Sequence, residues 1–328
     1  MINHNGPRAA RRHVKALFQG ARPLGVRGGV WLLCVAVALL VGVPVSLVLV
    51  TTRGGGTPMG SGSVASARPT GQPVAVPTQL GCSSTPSACG YPDATNTGVP
   101  PGTTLTVVDG DLTVRTAGAV IEGKDIRGCV IVKASNVTIR RSKVTCTFGY
   151  GIGSFPEEYS GGGLVVEDVE VDCANSGATA IGYYGLTGRR LNLHGCENGF
   201  DIDYDVTVVD SYVHDMRETE TGHTDGIQLA GGSNIVIRHN TIFNPGGTSA
   251  IISHPNANAD VMIEANLLGG GAYTLYCPRD SSTNFRVINN RFSTMFSAKG
   301  GAFGPWDSCE KVAENRGNVW DSTLAPVA

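Results

Sequence analysis

The sequence predicts an all-β solenoid, a parallel β-helix, and three observations predict it. A short pattern (apolar, any, usually apolar, four spacers, apolar) recurs along the second two thirds of the chain. A second short apolar segment recurs between its copies. Asn and Cys residues then fall at matching places in successive copies, as they would if the copies stack.

The first pattern appears as AVIEGKDI (119–126), VTIRRSKV (137–144), LVVEDVEV (164–171), LTGRRLNL (186–193), VTVVDSYV (206–213), IVIRHNTI (235–242), VMIEANLL (261–268), FRVINNRF (285–292) and VAENRGNV (312–319), with starts 18, 27, 22, 20, 29, 26, 24 and 27 residues apart. The segments are Val/Ile-rich, alternate with period two and are broken by Gly, Asn and Asp, which excludes a helical solenoid. The interleaved segments are GIGSF (151–155), AIGYY (180–184), GFDID (199–203), GIQLA (226–230), AIISH (250–254), TLYCP (274–278) and AFGPW (302–306). Two or three short strands per coil, stacked in parallel, follow.

Asn240, Asn266 and Asn290 each lie five residues after a repeat start, so their amides can hydrogen-bond along the stack. Cys129, Cys146, Cys173 and Cys196 also align, and equivalent positions in adjacent coils fall within disulfide reach. The expected pairs are Cys129–Cys146 and Cys173–Cys196, because joining Cys146 to Cys173 would strand the outer two. Cys82–Cys89 and Cys277–Cys309 follow by elimination. Of the nine cysteines, Cys34 lies in the apolar run ahead of the repeats; the eight that remain are an even number, which fits an exported domain, and no spacing suggests zinc.

Ahead of the repeats the chain changes character. Residues 1–27 are basic, and 28–52 carry no charge until Arg53, long enough for a transmembrane signal-anchor helix. Residues 53–81 are a Gly/Pro/Ser/Thr-rich linker without periodicity. The expected order is a cytoplasmic tail (1–27), a membrane helix (28–52), the linker (53–81) and an extracellular β-helix (82–328), single-pass in the cell membrane. Secretion after cleavage is the alternative. The formal charge of −2 hides an asymmetry, since all 27 acidic residues follow Tyr91. Fifteen of them fall between Glu157 and Asp225, against Arg189, Arg190 and Arg217. That excludes nucleic acid as a partner and disfavours polyanions without a bridging cation. The chain is read as a monomer whose partners are the membrane and a polysaccharide or cell-wall glycan.

From Tyr91 to Trp320 the repeats resemble the right-handed parallel β-helix (pectin lyase-like) superfamily of pectate lyases, polygalacturonases and uronan epimerases. They are most similar to exported β-helix proteins of Gram-positive, high-GC bacteria, which open with segments like YPDATNTGVPPGTTLT (91–106). The stretch HTDGI (223–227) resembles the polygalacturonase motif Asn-Thr-Asp-Gly-Ile, with His223 in place of Asn. The resemblance implies a catalytic role for Asp225. The family's Asp-Asp pair one coil later is Thr248-Ser249 here, and its Gly-His-Gly and Arg-Ile-Lys motifs are absent, which argues against a standard polygalacturonase.

Strand alternation places Phe200, Ile202, Ile227, Leu229, Ile251 and Leu275 inward. It places Asp201, Asp203, Gln228, Ile252, His254 and Tyr276 outward, with Tyr184 and Trp306 on the same face. The candidate catalytic residues are Asp201, Asp203, Asp225 and His254. Candidate substrate contacts are His223, Gln228, Tyr276, Arg279 and Trp306. Acids, amides, His and aromatics on one face suit sugar binding and cleavage by a hydrolase, lyase or epimerase. Asp201, Asp203 and Asp205 are spaced as candidate ligands for calcium. Other roles for the same face are a glycan-binding or structural surface, and Asp225 is equally readable as a turn residue.

Overall fold

Each coil turns on the same backbone conformation. In the four-residue spacer of the recurring pattern, the fifth residue from the repeat start adopts a left-handed conformation: Arg141, Asp168, Arg190, Asp210, His239, Ala265 and Asn289, with Gly123 and Gly317 at the ends (φ between 46° and 68°). A second left-handed residue precedes most repeats: Asn136, Gly163, Gly185, Asp205, Asn234, Asp260 and Asn284. Asn, Asp and Gly tolerate this region best, which is why they break the apolar runs at regular intervals.

Between these corners run straight strands. A computed structural model describes residues 78–328, apart from 156–161, 218–222, 255–256 and 280–281. Among the described residues the strands form three sheets, all parallel within each sheet. Sheet A has ten strands, from Thr106–Asp109 to Val319–Trp320. Sheet B has nine, from Leu112–Val114 to Gly304–Asp307, and sheet C nine, from Val120–Glu122 to Glu314–Arg316. Each recurring pattern is therefore a sheet C strand, a corner and a sheet A strand, and each interleaved segment is a sheet B strand. The molecule is a parallel β-helix with three strands per coil. A first half-coil, Thr106–Val114, lacks a preceding sheet C strand and so escaped the repeat pattern.

One apolar stack fills the coil. Ile139, Val166, Val208, Ile237, Ile263 and Val287 line it from sheet C, and Ile152, Ile181, Phe200, Ile227, Ile251 and Leu275 from sheet B; all are fully buried. At the A–C corner the three predicted amides form a buried ladder. Asn240 Nδ2 donates to Asn266 Oδ1 at 3.0 Å and Asn266 Nδ2 to Asn290 Oδ1 at 2.9 Å. The same amides also donate to Val208, Ile237 and Ile263 carbonyls. Asn318 continues the ladder by accepting from Asn290 Nδ2 at 3.0 Å. Arg286 pairs with Glu314, so the last repeat starts at Ala313, one residue later than the pattern suggests.

All four expected disulfides are formed, with Cα separations of 5.6, 4.9, 4.8 and 5.0 Å. Replacing Cys129 and Cys146 together by Ser should lower unfolding stability by about 2–4 kcal/mol, measured by denaturant titration.

A strap of chain ahead of the first coil lies against sheet A and the A–C corner. Tyr91 is fully buried and stacks on His239 at 5.4 Å, and the Gly98 N–H donates to the Arg190 carbonyl. At the other end of the strap the Asp321 carboxylate accepts from the Cys82 and Ser83 N–H groups and pairs with buried Arg291 at 2.8 Å. Arg291 also donates to the Gln79 carbonyl. The ordered domain thus includes Gln79–Gly81, which the sequence assigns to the linker. The apolar run at 28–52, the tail and the rest of the linker lie outside the described residues. Among the described residues no helix is long and apolar enough to cross a membrane.

Candidate functional site

The parallel register carries the outward residues of sheet B into one column: Gly153, Gly182, Asp201, Gln228, Ile252, Tyr276 and Asp307. The two glycines leave room for rings. A Cβ on Gly182 would stand 2.6 Å from the Tyr150 ring, and one on Gly153 2.6 Å from the Phe155 ring. Tyr150 packs against Phe155 at 5.8 Å and Tyr183 at 4.9 Å, with interplanar angles of 78° and 53°, so three mutually tilted rings form an aromatic patch, or plate, beside Asp201.

Asp201 is half-buried at the edge of that plate. Its carboxylate accepts from the Tyr150 hydroxyl at 3.1 Å, the Gln228 amide at 3.4 Å and the Tyr183 hydroxyl. Burial raises its pKa above the usual carboxylate value, against the opposing pull of these three donors. Burial likewise raises both tyrosines, assisted by the Asp201 charge, so they remain hydroxyl donors at neutral pH.

Asp225 opens its strand between Asn198 and Ser249 of the neighbouring coils. Its N–H donates to Asn198 Oδ1 and its carboxylate accepts from Ser249 Oγ at 2.6 Å. Where the resembling family has an acid, this chain therefore has a hydrogen-bond donor. Asp225 is fully buried, its Oδ2 has no partner, and burial pushes its pKa up to about 6. The next residue is scaffold: a Cβ on Gly226 would meet Ile242 Cγ2 at 2.3 Å. Gly151 and Gly199 face Val171 and Val213 in the same way.

The raised value fixes a sign. The folded protein holds the Asp225 proton more tightly than the unfolded chain, whose carboxyl titrates near 3.8. Stability associated with this group is present at acid pH and is lost as pH rises from about 4 through about 6. Asp225→Asn should remove that loss. Its melting temperature, compared with wild type at pH 5 and pH 8, should gain at pH 8 by the equivalent of roughly 2–3 kcal/mol.

His254 follows the Ser253 position of the next coil. Its Nε2 is buried without a partner, and burial lowers its pKa, helped by the nearby His223. His223 is exposed and lies 3.4 Å from Thr248 Oγ1. Tyr276 lies at the far end of the face with Tyr273, 5.3 Å away, and Arg279 pairs with Asp307.

Two expectations are corrected. Trp306 is not on the outward face: it pairs in register with inward Leu275 and meets Phe292 edge-on at 5.4 Å within the core. The strand runs Gly304-Pro305-Trp306, and counting faces through it without the register gives the wrong side. Asp201, Asp203 and Asp205 do not converge as a calcium cage. Asp205 is an exposed corner residue at φ 58° whose carboxylate accepts from Asn234, whereas Asp201 is held by the tyrosines. Among the described residues no three His, Cys, Asp or Glu side chains gather where they could hold a metal ion. Tyr184 is only partly outward, packing against the core and Tyr204.

Sequence reasoning missed Tyr150, Phe155, Tyr183, Tyr273, Phe303 and Asp307. Tyr183 pairs with inward Ile202, so alternation assigns it to the core, yet its hydroxyl reaches Asp201. The available signal was the glycine column, Gly153 and Gly182, in step with aromatic neighbours.

No protein-family model matches this chain, and no curated protein sequence matches it. Among solved structures, the chain is similar to the tailspike protein gp49 of Acinetobacter baumannii bacteriophage Fri1, a capsular polysaccharide depolymerase, at 12% identity and a TM-score of 0.23. The match covers 68% of this chain and 58% of the tailspike's length.

Proposed function

We propose that the outward face of sheet B binds a polysaccharide and hydrolyses it, with Asp201 as the proton donor. One observation carries this reading: a half-buried carboxyl of raised pKa sits at the edge of a three-ring aromatic plate and is held there by two tyrosine hydroxyls and an amide. Aromatic faces stack on the apolar faces of sugar rings, and a carboxyl whose burial favours its protonated form can deliver that proton to a glycosidic oxygen. Asp203, just past the end of the same strand, is the carboxylate assigned in this reading to take a proton from the attacking water.

Elimination fits less well. It needs a base and a positive partner for a uronate carboxylate, whereas the centre of this face is Asp201, Asp203 and Gln228, and the Arg279 cation is paired with Asp307. The four disulfides support export into an oxidising compartment, in keeping with the membrane-anchored, outward-facing placement read from the N-terminal sequence. The right-handed, pectin lyase-type coil rests on the resemblance of the repeats and on the usual hand of parallel crossovers.

The test is the full chain, purified in mild detergent, on a panel of neutral and uronate polysaccharides with and without calcium. New reducing ends without unsaturated product are expected, and calcium should not matter. Unsaturated product would replace hydrolysis by elimination, and binding without turnover would make the face a glycan-binding surface.

A further inference from the structure

The sheet B face carries a second aromatic plate, which like the first has three rings packed over a glycine. Tyr273 packs against Tyr276 at 5.3 Å and Phe303 at 5.8 Å, and Phe303 is 68% exposed. Gly304 of the following coil, paired in register with Tyr273, leaves room for its ring: a Cβ there would stand 3.2 Å from the Tyr273 ring. The ion pair of Arg279 and Asp307 lies beside this plate, placing charged groups next to the packed rings.

The two plates occupy one column of the fold. The register runs Tyr150, Thr179, Asn198, Asp225 and Ser249, and Tyr273 follows two residues before the Ile251–Leu275 pair. Tyr150 and Tyr273 are thus five coils apart, roughly 24 Å along the axis at one strand spacing per coil. Asp201 lies between them, two coils from the first. A sugar ring with its linkage advances a chain by about as much as one coil, so the span equals roughly five sugar units.

Resting on the reading of sheet B as the glycan face, we infer that Tyr273, Tyr276 and Phe303 form a distal sugar-binding subsite. A single glycan chain lies along the solenoid axis across both plates, and the protein acts inside chains of about five or more sugars rather than at their ends. The acids between the plates make the middle of the chain neutral or amino-bearing, not uronic. Three aromatic side chains at each end grip the chain, and Asp201 meets a linkage between them.

Phe303→Ala provides the test, because an exposed ring can be removed without opening the core. The probes are reducing-end-labelled cello-, chito- and oligogalacturonide ladders of two to eight units, together with their parent polymers. Affinity and turnover by the wild-type chain should rise steeply up to about five or six units, and Phe303→Ala should weaken the long chains about tenfold while leaving the trimers unchanged. Turnover that depends on Asp201 but not on chain length or Phe303 would overturn the distal subsite and leave the proposed function standing. No binding or turnover of any probe or polymer would overturn both.

Discussion

Asp201→Asn leaves a folded protein that still binds glycan but turns it over at least about 100-fold more slowly, the usual contribution of a positioned general acid. Asn keeps the shape and still accepts from the Tyr150 and Tyr183 hydroxyls, so the aromatic plate should survive; circular dichroism and the melting temperature check this. The pH profile carries the more specific prediction. Burial raises the Asp201 pKa, so the acid form persists to higher pH than in an exposed aspartate, and turnover should fall as pH rises through that value. The residual activity of the variant should lack this alkaline limb. Tyr150→Phe gives an independent check, because the pKa depends on the donor it removes. Losing a donor to the carboxylate raises the pKa further and moves the alkaline limb upward. A variant with wild-type turnover and an unchanged profile would remove Asp201 from the chemistry.

Asp321→Ala should cost about 3–5 kcal/mol, the largest stability effect expected of a single substitution here. Asp321 is 2% exposed and performs several tasks at once. It pairs with fully buried Arg291, accepts from two backbone N–H groups at the start of the Cys82–Ser84 turn and takes the Ser83 hydroxyl at 2.6 Å. Removing it leaves a buried guanidinium without its counter-charge and the strap without its anchor. The strap should then detach, which limited proteolysis near residues 79–98 would reveal before global unfolding. Arg291→Met with Asp321→Leu should recover part of the loss, since an apolar pair leaves no unpaired charge, although the turn stays uncapped. Equal stability of the single variant and wild type would mean that the ion pair does not hold the strap.

The sequence-based reading went furthest where the fold repeats. Asn240, Asn266 and Asn290 and the four aligned cysteines were legible because a solenoid places equivalent residues one strand spacing apart, so matching offsets in sequence become contacts in space. The coil corners were only partly legible, because Arg141, Arg190, His239 and Ala265 take the left-handed conformation where Asn, Asp or Gly stands in the other coils. Reading failed where the chain leaves the repeat. The clamp between Cys82 and Asp321 joins residues 239 apart, and no local pattern announces it. The last repeat slipped by one residue, which hid Asn318 from the ladder. On sheet B, strict alternation held for Asp201 and Gln228 in mid-strand but failed at strand ends. There Gly151, Gly199 and Gly226 face the core immediately before an inward side chain, Tyr183 turns outward, and Trp306 turns in. The three acids from Asp201 to Asp205 look evenly spaced in sequence, but a corner separates Asp205 from the strand face. The His-Thr-Asp-Gly-Ile stretch divides accordingly. Its Gly and Ile are core packing, its Asp is a buried group tied to the next coil by Ser249, and its His alone is exposed.

The most direct test of the central claim is a hydroxyl-radical footprint of the Asp201→Asn protein, with and without the polysaccharide that wild type cleaves or binds most tightly. If sheet B is the glycan face, Tyr150, Tyr183, Tyr276 and Phe303 become protected, while Tyr212 on sheet A does not change. Protection of Tyr212 and His214 with sheet B unaffected, or protection nowhere, would contradict it.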